Sequence, residues 1–225
     1  TGTMRVLEAA RRHGARRVVF AGSSSAYGNP DRLPCEESFP VQPLSPYAAS
    51  KLAAEEFCRA WSASFGLSTV CLRYFNVFGP RQRADSAYAA VVAAFAARLL
   101  AGKPPMIFGD GEQSRDFTYV ANAVHATCLA AFSPAQLTGQ PINIGAGASF
   151  TVNDLAERMA ARLAPDAPPA EHRDARTGDV RDSLASIERA ASLLGYKPIF
   201  GLDEGLEQTC AWFTRSPTPA GEQRG

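Results

Sequence analysis

"RRVVFAGSSSAYG", residues 16–28, sets the fold. Val18, Val19, Phe20 and Ala21 make a short, continuous apolar run that ends at Gly22 and a serine-rich turn. Such a run reads as a strand buried on both faces, as strands of a parallel sheet are. Before it, residues 3–13 carry Met4, Leu7 and Ala10 at helical spacing, with Gly14 as the stop. After it, a polar loop leads to a helical pattern from Pro46 to about Phe65, closed by Gly66. The alternation then continues. Strands are expected at 67–79, 104–109 and 140–145. Helices are expected at 85–101, 118–132, 151–163, 186–194 and 203–214, with Thr151 and Asp154 as a capping box. Short buried strands alternating with helices predict an α/β fold with a mostly parallel sheet. Ligands of such folds sit beyond the carboxyl ends of the strands, which points to Ser23 and to Tyr74-Phe75-Asn76. Residues 216–225 (SPTPAGEQRG) read as a disordered tail.

Bulk properties narrow the function. The 225 residues are 46% hydrophobic and 20% charged, the balance of a globular chain that buries a sizeable core. A formal charge of +1 gives no electrostatic case for nucleic acid. No apolar run approaches a membrane span. The five cysteines (Cys35, Cys58, Cys71, Cys128, Cys210) are scattered, which reads as reduced cytoplasmic thiols, not a disulfide or zinc framework. The three histidines lie far apart, and no metal is expected.

"SPYAASK" (45–51) holds the candidate chemistry. Tyr47 and Lys51 are four apart, so on a helix they share a face. A nearby ammonium stabilises phenolate, which suits acid/base work near neutral pH. Composition alone predicts roughly 0.08 such pairs in this chain, yet a surface helix with an exposed Tyr/Lys pair explains the motif equally well. A serine of the turn at 22–28, about two dozen residues earlier, would reach the hydroxyl that Tyr47 would deprotonate. A serine-rich turn is more often only a turn.

The ordered set "SSSAYG", "SPYAASK", "LRYFNVFGPRQ" and "GDGEQSRDFTYV" resembles the extended short-chain dehydrogenase/reductases, and among them the NAD-dependent nucleotide-sugar 4-epimerases. The likeness runs from Thr1 to about residue 214. It implies a partial Rossmann-like, doubly wound sheet over residues 1–80 and a UDP-sugar-binding region over 81–215 whose strands return to the main sheet. It implies that Ser23, Tyr47 and Lys51 are catalytic, and that they and Phe75 hold NAD. Ser24 and Ser25 stand where dehydratases of the superfamily carry an Asp-Glu pair, which argues against a 4,6-dehydratase. For the UDP-sugar the resemblance implies contacts from Ser24, Ser25, Asn76, Ala90, Phe108, Arg115, Arg176, Asp179 and Ser183. Arg115 and Arg176 would bind the diphosphate. Tyr88 to Phe95 and strand 106–108 would wall the uridine. The small Ser183 would admit a C2 N-acetyl group, pointing to UDP-GlcNAc/UDP-GalNAc, with UDP-Glc/UDP-Gal also accepted. Ser183 also reads as a plain helix cap.

A UDP-glucuronate epimerase or decarboxylase, and a catalytically dead binding domain, are the alternative readings. Helices 3–13 and 46–65 match those of the family's two-fold bundle, implying a homodimer. The stripe Ala54, Phe57, Trp61 reads equally well as core or interface. Finally, "NIGAGASF" (143–150) imitates a dinucleotide loop, but Phe150 takes the place of its third glycine. The true Gly-rich loop is expected in a segment preceding Thr1. On that reading the chain is the C-terminal two-thirds of an epimerase, with weak or no NAD binding by itself.

Overall fold

The computed structural model describes residues 2–83, 91–175 and 180–215. The main sheet has three parallel strands: β1 (Arg17–Ser23), β2 (Ser68–Tyr74) and β7 (Thr138–Ile144), in the order β1-β2-β7. β2 is central, and its apolar run is covered on both sides. On one face Cys71 packs with Leu7 of α1 (Gly2–Arg12) and Cys58 of α2 (Pro46–Phe65). On the other, Val70 and Leu72 join Ile142 and Ile144 against α4 (Val120–Phe132) and α6 (Glu188–Leu194). The two-residue period of a strand assigns alternate residues to alternate faces.

Both ends of α2 are specified locally. Ser45 Oγ accepts from Ala48 N at 3.1 Å, Pro46 occupies the first turn, and Gly66 at φ 68° closes the helix with its N–H on Ser62 O. The stripe Ala54, Phe57, Trp61 turns inward: Ala54 is buried, and Phe57 and Trp61 pack onto the cluster of Leu7, Cys58, Leu67 and Cys71.

A second core joins α3 (Val91–Leu100), α5 (Val152–Leu163) and α7 (Leu202–Arg215) through Val92, Phe95, Leu99, Leu155, Met159, Leu206 and Phe213. Short strand pairs tie it to the sheet. β3 (Val77–Phe78) pairs with β6 (Thr118–Tyr119), and β4 (Met106–Phe108) with β9 (Glu171–Arg173). β5 (Ser114–Arg115) lies between β10 (Asp182–Ser183) and β8 (Phe150–Thr151).

Several boundaries differ from the sequence reading. The strand expected over 67–79 breaks at Phe75-Asn76, where Asn76 adopts φ 29° and the chain leaves β2 to form β3. The helix expected from 118 starts at Val120, because Thr118 and Tyr119 are drawn into pairing with β3. Only half of the capping box forms: Thr151 Oγ1 accepts from Asp154 N, while the Asp154 carboxylate pairs with Arg158. The strands at 114–115, 150–151, 171–173 and 182–183 have no counterpart in the sequence pattern. The first part of the helix expected at 85–101 and the tail 216–225 lie outside the described residues.

Candidate active site

The carboxyl ends of β1 and β2 open into a cleft of about 680 Å3. Ser23, the last residue of β1, faces Tyr74 in the parallel register. Its Oγ caps the 3-10 turn that follows, accepting from Ser25 N at 3.2 Å and from Ser25 Oγ at 2.8 Å. Tyr47 enters from the first turn of α2 and is 50% exposed, so its phenol stands in the cleft wall. Lys51 lies one turn on. Its Nζ donates to Ala21 O at 3.0 Å and sits 5.7 Å from the centre of the Tyr47 ring. Helical spacing and the anchoring carbonyl of β1 thus hold the ammonium beside the phenol.

A smaller cavity of about 240 Å3 adjoins this cleft. Its walls are Val91, Val92 and Phe95 of α3, Met106, Ile107 and Phe108 of β4, and Phe117. Asn76, Val77 and Arg115 line both spaces and form the waist between them. Arg115 Nη1 donates to Ser114 O and Arg181 O, each at 2.9 Å. Asn76 Nδ2 donates to Asp116 O at 3.2 Å and lies 3.5 Å from Ser183 Oγ.

Among the residues expected at the site, Ser23, Ser24, Ser25, Tyr47, Lys51, Phe75, Asn76, Arg115 and Ser183 line the larger cleft, and Phe108 lines the smaller cavity. Tyr88, Ala90, Arg176 and Asp179 lie outside the described residues.

Three features escaped the sequence reading. Asp116 is fully buried, and its carboxylate accepts from Ala146 N (2.7 Å), Gly147 N (3.1 Å) and Ala185 N (3.2 Å). Burial raises its pKa to about 6 against the pull of those amides. The loop that imitates a dinucleotide fingerprint therefore cradles a carboxylate of its own chain. Beneath the cleft, Arg73 and Glu55 form a buried bidentate pair, with Nε and Nη2 on the two carboxylate oxygens at 3.0 and 2.6 Å. Tyr27 lies over this pair, its ring centre 4.7 Å from the Arg73 guanidinium carbon and its hydroxyl donating to Asn143 Oδ1 at 2.7 Å. Burial pushes its phenol up to about 12, which disfavours Tyr27 as the base.

Ser23, Tyr47, Lys51 and Phe75, the residues expected at the nicotinamide end of the cofactor, line the larger cleft together. Among the described residues, the glycine loop at 145–147 that imitates an adenosine-end holder has the amides of Ala146 and Gly147 turned to Asp116. Among the described residues no group of three or more His, Cys, Asp or Glu side chains could hold a metal, and no helix is long and apolar enough to cross a membrane.

Residues 1–145 match the model of the NAD dependent epimerase/dehydratase family. A UDP-glucose 4-epimerase of Mycolicibacterium smegmatis is 40% identical over 214 residues, covering 94% of this chain and 67% of that protein. The solved UDP-N-acetylglucosamine 4-epimerase of Methanobrevibacter ruminantium, in complex with UDP-N-acetylmuramic acid, superimposes with a TM-score of 0.89 at 39% identity, over 95% of this chain and 67% of that one. The UDP-glucose 4-epimerase of Thermus thermophilus, in complex with NAD, gives 0.86 at 35% identity, over 96% and 69%. The chain thus spans about two thirds of the length of these relatives. The motifs and the parallel sheet agree with these likenesses, and the chain belongs to the NAD dependent epimerase/dehydratase family, whose cofactor is NAD.

Proposed function

We propose that the chain carries the catalytic and substrate-binding parts of a UDP-sugar 4-epimerase, acting on UDP-GlcNAc/UDP-GalNAc and also on UDP-Glc/UDP-Gal. One observation carries this reading: a polar cleft holding Ser23, Tyr47 and Lys51 joins an apolar cavity through a waist lined by Asn76 and Arg115. That sequence of surfaces suits a sugar, a diphosphate and a flat nucleoside base in order. Arginine gives charge-assisted bonds to phosphate oxygens.

In this mechanism Tyr47 takes the proton of the sugar 4-hydroxyl, with the Lys51 ammonium one helical turn away, 5.7 Å from the centre of its ring. Ser23 Oγ hydrogen-bonds the same hydroxyl and keeps it oriented. NAD, when bound, supplies the reversible oxidation of the sugar carbon. Arg115 keeps the diphosphate in place while the sugar turns, so that Tyr47 returns the proton after the sugar has presented its other face. Ser183, buried in the wall beside Asn76, leaves the room that a C2 N-acetyl group requires.

The test is interconversion of UDP-GlcNAc, UDP-Glc and UDP-glucuronate with their 4-epimers by the full-length protein in excess NAD. UDP-GlcNAc is expected to turn over fastest. Tyr47→Phe should abolish turnover while leaving UDP-sugar affinity within about twofold, since uniform binding is untouched. Turnover by Tyr47→Phe at the parent rate would refute the assignment, and turnover of UDP-glucuronate alone would refute the sugar.

A further inference from the structure

The proton-transfer reading of Tyr47 and Lys51 raises a question about the next turn of the same helix. Tyr47, Lys51 and Glu55 are spaced by four along α2 and share one face. Glu55 is buried, 5% exposed, and a carboxylate one turn from Lys51 is the natural partner for its ammonium. Yet the two do not pair. Lys51 Nζ goes to Ala21 O, and both Glu55 oxygens go to Arg73. Arg73 lies opposite Gly22 in the β1–β2 register, one residue along from Ala21. Lys51, through Ala21 O, and the Arg73–Glu55 pair, opposite Gly22, thus sit at adjacent residues of β1. The other charged or titratable neighbours offer Glu55 no alternative. Arg59, a turn further on, is held by Glu56 at the surface. Cys58 and Cys71 are buried thiols on the same side, Cys71 Sγ reaching Glu55 O at 4.0 Å. Tyr27 packs its ring over Arg73.

We propose that Arg73 is a positioning residue for the proton-transfer pair: by taking both oxygens of Glu55, it keeps the helix's own carboxylate off Lys51 and leaves the ammonium to Ala21 O and Tyr47. Arginine suits this task because its planar fork satisfies both carboxylate oxygens at once, while lysine is a mobile point charge that would follow a freed carboxylate. If the pair only fastened α2 to β2, removing Arg73 would change stability and nothing about Lys51.

The chain's three lysines make the test direct. Brief acetylation of the 225-residue chain with acetic anhydride, read by mass spectrometry, gives the labelling of Lys51 relative to the exposed Lys103 and Lys197. An amine held in an ion pair reacts more slowly. In Arg73→Met the Lys51 ratio is expected to fall about fivefold, and in Glu55→Met/Arg73→Met to return to the parent value. An unchanged ratio in folded Arg73→Met, or a low ratio in the double variant, would overturn the proposal. Glu55→Gln covers the case in which Arg73→Met does not fold. Its Lys51 ratio should stay within about twofold of the parent, and several-fold faster labelling would show that Glu55 already serves Lys51. The readout needs neither NAD nor turnover, so it stands or falls separately from the assay of Tyr47→Phe.

Discussion

Asp116 is the residue on which most of the site's backbone converges. Its carboxylate gathers the loops at 146–147 and 185, and its carbonyl receives Asn76. Gly145 is fitted to it, since a Cβ there would lie 2.4 Å from Asp116 Oδ2. The folded pKa of about 6 stands above the ordinary value of 3.8. Folding therefore favours the protonated acid. Its contribution to stability is complete below about pH 4, is lost as pH rises through 6, and is constant above that. The span is about 3 kcal/mol, from 1.36 kcal/mol per unit. Asp116→Asn has no such titration. The difference in unfolding free energy, parent minus variant, should fall by about 2 kcal/mol between pH 4 and 6.5 in urea titrations. Parallel curves would contradict this account of Asp116. Neither Asp116 nor the buried Arg73–Glu55 pair was legible in the sequence. An Asp after an Arg and a Glu inside a helix read as surface charges until tertiary structure buries them.

At the scale of elements, α2 was legible almost to the residue because its signals are local. Ser45 caps it, Pro46 opens it, and Gly66 closes it. Ser45→Ala removes the acceptor for Ala48 N and should cost about 1 kcal/mol in chemical denaturation. A loss under a few tenths of a kcal/mol would show that tertiary packing alone holds the first turn, where Tyr47 sits. β1 was equally plain, and so were the buried runs of β2 and β7. What could not be read were the short strands β3, β5, β6, β8, β9 and β10. They are two or three residues long and exist only because distant segments meet. The break at Phe75-Asn76 has the same origin: Asn76 bends at positive φ so that Val77 can pair with Thr118, some 40 residues away. A propensity argument sees one apolar run where the fold needs two. In the loop at 145–147, the sequence could exclude a dinucleotide site from Phe150 but could not say what the glycines were for. The close approach of Asp116 answers that.

For the whole molecule, the claim is that two cavities meeting at Asn76 and Arg115 form one nucleotide-sugar site. Its polar half was legible as motifs, because Ser23, Tyr47 and Lys51 lie on well-signalled elements. The apolar half, walled by α3 and β4, was named in the sequence only through the family resemblance; Phe117 was not foreseen, and how these segments close into one cavity took shape in the fold. The most direct test is calorimetric titration of the 225-residue chain with UDP-GlcNAc, and with UDP alone, for the parent and for Arg115→Met. The parent should bind both ligands. Losing a charge-assisted phosphate contact of about 1.5–3 kcal/mol should weaken each by about tenfold or more. Tyr47→Phe should leave both affinities nearly unchanged. Binding that is absent in the folded parent, or equal in Arg115→Met and the parent, would contradict the account.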